Sequence, residues 1–201
     1  MKLPWLTPVL EADGPVVSVH LDTTRTDPHA AGELEADAEA LAHVHVTAWR
    51  ETYRGLLSDA YLDAMSELEH ARRFLRSLIR PEPSDLILLA ADRRGAVGYA
   101  QAGPARSRAA GEGEIYTLYL LREAQGRGLG RRLLASAARA LAVQGATSLV
   151  IAVLHDNLSA RSFYEHLGGV AGEPYAAHAP GGGLTREITY RWAQIADLAR
   201  G

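Results

Sequence analysis

The feature that most constrains the fold of this chain is a glycine-rich turn between a strand-like run and a leucine-faced helix. The run EIYTLYLL (114–121) is rich in aromatic and β-branched residues, which favour strands. QGRGLG (125–130) follows it, and leucine and alanine then recur at helical spacing from Leu129 to Leu141. The sequence therefore places the start of a helix, where backbone N–H groups lack partners within the helix, directly after a strand.

Three interpretations of these glycines compete. A dinucleotide-binding G-x-G-x-x-G fingerprint fails because Arg131 stands where the third glycine is required. A P-loop fails because the segment contains no lysine. An anion site at the helix N-terminus survives, with Arg127, Arg131 and Arg132 adding positive charge. The structural alternative is a glycine turn before a solvated basic helical turn, and spacing alone leaves both open.

The other patterns of the chain predict a mixture of helices and strands. Apolar residues recur at helical spacing from Asp37, and Ser58 suits the N-cap of a short helix. Ser66 and Glu69 form a capping box for a helix that ends near Ile79. Strands are predicted at 16–21, 85–92, 96–103, 148–155 and 187–193, a loop at 23–33 and a helix at 157–169. Together these elements predict a mixed α/β domain with a central sheet.

Composition excludes several classes of function. The 201 residues contain 0 cysteines, so a disulfide, a thiolate metal site and a cysteine nucleophile are all excluded. The formal net charge of −3 gives no general attraction to nucleic acid or to anionic lipid. The sequence has neither a long apolar run nor a signal-peptide pattern in its first residues. It therefore predicts a cytoplasmic protein that binds no membrane and no nucleic acid.

Gln125, Gly128 and Gly130 form a Q-x-x-G-x-G segment directly after the strand-like run. This segment resembles the acetyl-CoA signature of the GCN5-related N-acetyltransferases, the GNAT family. NLSARSFYEHLGG (157–169) is similar to the family's downstream segment, except that Gly169 replaces a final aromatic residue. The two blocks are independent of each other, which strengthens the resemblance.

A third block, HVTAWRETYRGLLSDAYLDAM (45–65), resembles the first helices of a bacterial branch of the family. The order and spacing of the blocks imply an acetyltransferase domain at 33–195. An N-terminal extension at 1–32 precedes it and is a candidate for the first strand, and a tail at 196–201 follows. The implied fold is α/β of the α+β type, with a central mixed, mostly antiparallel splayed sheet flanked by helices.

The resemblance implies acetyl-CoA as cosubstrate, with its pantetheine arm between the splayed ends of strands 114–121 and 148–155. The first of these strands would pair with the pantetheine, the glycine turn would hold the pyrophosphate, and the 157–169 helix would give further contacts. The implied binding residues are Leu118, Tyr119, Leu120, Gln125, Gly126, Arg127, Gly128, Leu129, Gly130, Arg131, Asn157 and Ser159. Asn157 also suits the N-cap of its helix, and sequence alone favours that structural role.

Two residues match catalytic positions of the family. Tyr164 matches the general acid, and a phenol with a pKa near 10 is suited to protonating a departing thiolate. Glu114 stands where many members carry a carboxylate that acts through water, and a polar strand-end residue is an equally good interpretation. The N–H of Leu120 is the expected oxyanion donor. Because cysteine is absent, direct attack of the amine in a ternary complex is the simplest route.

The resemblance implies a primary amine acceptor, on a small molecule or a peptide, whose identity the sequence leaves open. Candidates for its pocket are Trp49, Tyr53, Tyr116 and His155, although the spacing of Trp49 and Tyr53 equally suits packing of a helix face. The 8 histidines lack metal-site spacing, so no metal is predicted. A homodimer is common in the family, and the oligomeric state stays open. The alternative function is a non-catalytic acyl-CoA-binding or regulatory module on the same fold.

Overall fold

Eight strands form one sheet within residues 16–20, 28–80, 82 and 84–199, the part of the chain that the computed structural model describes. The strands are β1 Val16–His20, β2 Leu86–Asp92, β3 Gly95–Pro104, β4 Glu112–Leu120, β5 Ser148–Leu154, β6 Val170–Ala171, β7 Tyr175–His178 and β8 Leu184–Trp192. Their order is β1-β2-β3-β4-β5-β8-β6, with β7 also paired to β8. Only β4 and β5 run parallel among the described strands. The predicted mixed, mostly antiparallel sheet is confirmed.

Two of the predicted helix starts have the capping geometry that the sequence indicates. The helices are α1 Pro28–Tyr53, α2 Asp59–Ala64, α3 Glu67–Ile79, α4 Leu129–Val143, α5 Leu158–His166 and α6 Ile195–Ala199, with a 3-10 turn at Arg122–Ala124. The Ser58 hydroxyl accepts a hydrogen bond from the Tyr61 N–H at the start of α2. The Ser66 hydroxyl accepts one from the Glu69 N–H at the start of α3, 3.3 Å away. These bonds satisfy N–H groups that the helices leave open.

The helices cover both faces of the sheet and create two apolar layers. On one face, leucines of α4 such as Leu133 and Leu134 pack with Ile115 of β4 and other sheet residues. On the other face, α1 and α3 pack against the sheet around the fully buried Tyr99. Burial of these apolar faces supplies most of the stability that holds the layers together. None of the described helices is both long and apolar enough to cross a membrane.

Several elements differ from the sequence-based prediction. Helix α1 begins at Pro28 rather than at Asp37, so residues 28–33 of the predicted loop are helical, while residues 23–27 lie outside the described residues. Proline at the first helical position lacks only an N–H that would be unpaired there, and good helix formers follow it. The strands β6 and β7 and the helix α6 were not predicted. The two strands are short and largely exposed, so they lack the alternation that marks a strand.

The departure from the family pattern at Gly169 has a structural explanation. A Cβ atom at Gly169 would lie 2.8 Å from the Trp192 ring and 2.9 Å from the Tyr164 carbonyl. The Trp192 indole N–H in turn donates to the Leu167 carbonyl at 2.9 Å. An aromatic ring from β8 therefore occupies the space beside α5, and glycine is the residue that fits next to it.

Candidate active site

The parallel strands β4 and β5 pair over only part of their length. Pairing runs from Glu112 opposite Ser148 to Ile115 opposite Ile151, after which β4 continues along β3 and β5 along β8. The register between β3 and β4 shifts at Tyr116, which has no partner residue and forms a bulge. A bulge bends a strand and increases its twist, so the two strands diverge beyond this point. The structure thus has the splay that the resemblance implied.

A cavity of about 910 Å³ lies where the strands diverge. Its walls come from the C-terminal end of α1, the second half of β4, the glycine turn, β5 and α5. Among the predicted site residues, those that line it are Tyr53, Tyr116, Leu118, Tyr119, Leu120, Gln125, Gly126, Gly128, Gly130, Arg131, Asn157, Ser159 and Tyr164. Residues far apart in the sequence therefore meet in one cleft.

The backbone of β4 turns alternate residues into the cleft. The Leu121 N–H donates to the Val97 carbonyl, which directs this residue towards β3. The Leu120 carbonyl faces the other way and accepts a hydrogen bond from the Gln125 side-chain amide at 3.2 Å. Because successive residues of a strand alternate in direction, the backbone groups of Leu118 and Leu120 face the cleft and those of Tyr119 face β3. Tyr119 contributes its side chain to the cleft wall instead.

The glycine turn has a conformation that other residues seldom adopt. Gly126 and Gly128 have φ angles of 71° and 76°, and Gly128 is the N-cap of α4 without a side chain to cap the helix. Gly130 lies under Phe163, whose ring would be 3.1 Å from a Cβ atom. The turn therefore presents the uncapped, positive end of the α4 dipole to the cleft.

The side chains of this turn divide into two groups. Arg131 lines the cavity, whereas Arg127 is exposed and does not line it. Leu129 is 1% exposed and packs into the core, so only its backbone is available to a ligand. Positive charge at this end of the cleft thus comes from the helix terminus and from Arg131.

The start of α5 forms the opposite wall of the cleft. The Asn157 side-chain oxygen accepts a hydrogen bond from the Ala160 N–H at 3.2 Å, which is the N-cap role that the sequence favoured. Asn157 also lines the cavity together with Ser159. Capping and lining are compatible because the cap uses only the side-chain oxygen.

Tyr164 is buried in this wall and faces the cleft. It is 5% exposed and packs against the rings of Phe163, Tyr190 and Trp192. Burial, with a smaller contribution from Tyr53, raises the pKa of the Tyr164 phenol well above its ordinary value of 10.0. The phenol therefore keeps its proton at neutral pH and is available as a donor.

A group of aromatic residues closes the other side of the cleft. The hydroxyls of Tyr53 and Tyr119 are 3.1 Å apart, which is hydrogen-bond distance. Trp49 packs against Tyr53 with ring centroids 5.0 Å apart and does not itself line the cavity. The Trp49 indole nitrogen is buried and has no hydrogen-bond partner among the described residues. Of this pair, Tyr53 faces the ligand space and Trp49 supports it.

A buried polar pair lies beneath these aromatic rings and has no counterpart in the sequence-based prediction. His45 Nδ1 lies 2.6 Å from the Tyr99 hydroxyl. Burial lowers the pKa of His45 to about 3, with the nearby His70 and Arg73 acting in the same direction. The imidazole is therefore neutral at physiological pH. Only the helical periodicity of α1, which places His45 beside its apolar face, pointed towards this burial.

Glu114 does not line the cleft. Its carboxylate is 8% exposed and accepts hydrogen bonds from the Arg106 backbone N–H and from Arg106 Nε, both at 2.8 Å. It also forms a close ion pair with Arg106 Nη2. Both carboxylate oxygens are thus occupied by the loop between β3 and β4. Sequence reasoning did not single out Arg106, which has no motif to mark it.

His155 also lies outside the cavity, at the end of β5. Its Nδ1 is 2.9 Å from the Asp156 carboxylate, and its backbone carbonyl accepts a hydrogen bond from Arg161. Tyr116, by contrast, lines the cleft and donates its hydroxyl proton to the Pro104 carbonyl at 2.8 Å. Tyr53 and Tyr116 therefore both line the cleft, whereas Trp49 lies behind Tyr53 and His155 lies elsewhere.

The acetyltransferase (GNAT) family model matches residues 38–169, which is more than half of the chain. The chain belongs to the GNAT acetyltransferase family. It is 35% identical over 125 residues to the uncharacterised N-acetyltransferase YuaI of Bacillus subtilis strain 168, covering 61% of this chain and 69% of that protein. The predictions of family and enzyme class are confirmed.

Solved structures with low sequence identity share the fold. The PaiA N-acetyltransferase of Thermoplasma acidophilum, in complex with coenzyme A, has a TM-score of 0.59 at 19% identity, covering 88% of this chain and 99% of that one. YncA of Salmonella typhimurium, with its cofactor acetyl-CoA, has a TM-score of 0.60 at 16% identity. The match covers 89% of this chain and 94% of that one. These likenesses confirm the predicted fold class.

Proposed function

We propose that the enzyme transfers an acetyl group from acetyl-CoA to a primary amine by direct attack within a ternary complex. The observation that carries the proposal is the cleft between β4 and β5, with the glycine turn at one end and the Tyr164 phenol in its wall. The cleft is open to a donor along the strand edge and to an acceptor on the side of Tyr53 and Tyr116. Both substrates are then present together, as direct attack requires.

The residues of the cleft fit acetyl-CoA. The cleft-facing backbone groups of Leu118 and Leu120, which pair with no neighbouring strand, suit the amides of the pantetheine arm, as they would suit an added strand. The N–H groups of the turn from Gly126 to Arg131 suit the pyrophosphate, because glycines with positive φ turn the backbone towards the ligand and the helix dipole favours an anion. When bound, acetyl-CoA supplies a thioester as the acetyl donor. That PaiA and YncA hold coenzyme A and acetyl-CoA on the same fold supports this assignment.

Tyr164 is the proposed general acid. Its buried phenol keeps its proton at neutral pH, and it faces the same cavity as the strand edge of β4. A proton donated here neutralises the thiolate that leaves. The backbone N–H of Leu120, which faces the cleft, is the proposed donor to the oxyanion.

For Glu114 we propose the structural role rather than that of the base. A base needs a free lone pair within reach of the amine, directly or through water, and both oxygens of this carboxylate are bound by Arg106. The same bonds hold the loop between β3 and β4 against the sheet. In this proposal the amine loses its proton to solvent before attack.

The experiment measures thiol release from acetyl-CoA with a panel of primary amines. Tyr164→Phe is expected to lower kcat on the order of a hundredfold while the KM for acetyl-CoA is unchanged. Tyr190→Phe is the matched control, because it removes a hydroxyl from a neighbouring buried ring that does not line the cleft. Equal losses in the two variants would contradict the role of Tyr164.

Two further outcomes bear on the rest of the proposal. Initial rates against both substrates are expected to give converging lines, and parallel lines would exclude the ternary complex. Stabilisation of the fold by acetyl-CoA without thiol release for any amine would favour the non-catalytic module. Absence of stabilisation by acetyl-CoA would contradict the assignment of the cleft.

A further inference from the structure

A second cavity, of about 410 Å³, lies under α3 on the far side of the β4 bulge. Tyr116 lines both this cavity and the acetyl-CoA cleft. Gln101 of the second cavity also lies 3.4 Å from the hydroxyl of Thr117, which lines the cleft. The two spaces are therefore separated by single side chains. An acceptor whose amine lies beside Tyr116 therefore lies next to this second cavity.

Three arginines, two in α3 and one at its C-cap, give this cavity its charge. Arg73, Arg76 and Arg80 follow each other at helical spacing on one face and all line the space. None of the three is ion-paired with a carboxylate of the described residues, so their positive charge is available to a ligand. Exposed arginines are common on helices, but these three, although exposed, all line the same cavity.

Two acidic residues line the cavity as well and do not cancel this charge. Asp85 lies 3.5 Å from the Tyr116 hydroxyl, and Glu82 is the other. Burial and the nearby Glu82 raise the pKa of Asp85 above its ordinary value. Three guanidinium groups against two carboxylates leave the lining net positive.

A fourth guanidinium lies over the ring of Tyr116. The Arg106 Cζ atom is 5.6 Å from the centroid of that ring. Glu114 holds this guanidinium through the bonds described above, so its position is fixed although its side chain is largely exposed. The Tyr116 ring, which lines both the cleft and the second cavity, therefore has a guanidinium held over it.

From these observations we infer that the acceptor carries an anionic group, a carboxylate or a phosphate, in addition to its amine. The amine lies at the Tyr53 and Tyr116 end of the cleft, and the anion lies among Arg73, Arg76 and Arg80. This inference rests on the proposed acetyl transfer and adds the chemical class of the acceptor. Guanidinium groups suit both anions because their N–H groups form paired hydrogen bonds with two oxygens. The same charges disfavour polycationic acceptors.

The test compares acceptors that differ only in the anion. One arm pairs phosphoethanolamine with ethanolamine, and the other pairs β-alanine with its amide. We expect the anionic member of at least one pair to have a kcat/KM about tenfold higher or more, and the preferred arm identifies phosphate or carboxylate. Equal or better activity with the neutral members of both pairs would overturn the inference while leaving acetyl transfer intact.

The double variant Arg76→Gln/Arg80→Gln tests the residues themselves. Because each exposed guanidinium contributes only a few-fold, the variant should lose about tenfold in kcat/KM for anionic acceptors and almost nothing for neutral ones. Arg72→Gln is the matched control, since Arg72 is exposed on the same helix and does not line the cavity. The KM for acetyl-CoA should be unchanged in both. Equal effects of the two variants would overturn the assignment.

A binding measurement tests the anion site without any acceptor. With the cleft saturated by coenzyme A, inorganic phosphate should raise the melting temperature of the parent enzyme and of Arg72→Gln, but not that of the double variant. Stabilisation that is absent, or that persists in the double variant, would overturn the site. Failure of the proposed acetyl transfer is separate, because it appears as no thiol release with any amine or no stabilisation by acetyl-CoA.

Discussion

The donor and acceptor sides of the active site are built from different parts of the chain. The donor side consists largely of backbone, namely the unpaired edge of β4 and the glycine turn before α4. The acceptor side consists of side chains from α1, α3 and β4, among them Tyr53 and Tyr116. These backbone groups are proposed to bind the pantetheine arm and the pyrophosphate, which are the same in every acetyl-CoA molecule. Side chains are free to differ, and they are where we expect acceptor choice to reside.

Gly128→Ala should have the largest effect and should damage the donor side alone. A side chain at φ 76° is strained by roughly 1–2 kcal/mol, and relaxation of the turn removes at least one N–H from the pyrophosphate. We expect the Kd for acetyl-CoA to rise on the order of ten- to a hundredfold, measured by calorimetry. Gly145→Ala, at φ 97° beyond the other end of α4, is the control with similar strain and no expected effect on Kd. Equal changes of this Kd in Gly128→Ala and Gly145→Ala would contradict the assignment of the glycine turn to the donor side.

The free energy of unfolding should depend on pH through His45, which lies beneath the aromatic wall of the acceptor side. Its pKa is lowered from 6.5 to about 3 by burial and by His70 and Arg73, so the unfolded chain takes up a proton that the folded chain does not. The contribution is complete above pH 6.5 and is lost as the pH falls from 6.5 towards 3. The free energy of unfolding should fall by about 2 kcal/mol by about pH 5.

Urea titrations at several pH values measure this dependence. His45→Gln should flatten it, whereas His43→Gln, which changes an exposed histidine of the same helix, should not. An unchanged slope in His45→Gln would contradict the burial of a neutral imidazole beneath the aromatic wall.

Glu114→Gln separates positioning from catalysis. The carboxylate is buried and bound by Arg106, so the free energy of unfolding should fall by about 1–2 kcal/mol. The value of kcat should fall less than about tenfold, and the acidic limb of its pH profile should persist, because the residue does not act as the base. A loss of a hundredfold or more together with disappearance of that limb would identify Glu114 as the base.

Tyr53→Phe should have the smallest effect, and it should change only the kinetics with the amine acceptor. The substitution removes the hydroxyl that lies 3.1 Å from the Tyr119 hydroxyl and leaves the ring in place. Because the lost hydrogen bond of about 1 kcal/mol only positions this ring, kcat/KM for the amine should fall by no more than roughly fivefold. The Kd for acetyl-CoA should not change. A change in that Kd without a change for the amine would reverse the assignment of the two sides.

Local signals in the sequence were sufficient for much of the fold. The caps at Ser58 and Ser66 were predicted because they depend on residues a few positions apart. The beginning of α1 was placed too late, since Gly32 and Pro28 read as loop residues while the helix tolerates both. The strands β6 and β7 were missed because their residues are largely exposed and pair only with β8.

The candidate site was predictable to a different extent on its two sides. Gly126, Gly128 and Tyr164 lie in segments that resemble a family, and all three line the cleft. Glu114 was a candidate because it matches a position of the same family, and His155 because it ends a predicted strand, yet neither lines the cleft. A strand position fixes which face a side chain takes but not which neighbour binds it, and no local pattern marks Arg106 as the partner of Glu114.

The sequence by itself determined the turn that opens the donor side. Its glycines set backbone angles that hardly any other residue adopts, and the leucines after them require a helix whose N-terminus is open. Only the tertiary structure decided where β4 and β5 part, that Tyr116 lies between two cavities, and that the arginines of α3 reach the second one. The physical reason is the distance along the sequence between the residues that interact. Backbone conformation depends on adjacent residues, whereas the acceptor side depends on side chains that meet only after the sheet and its covering helices have packed.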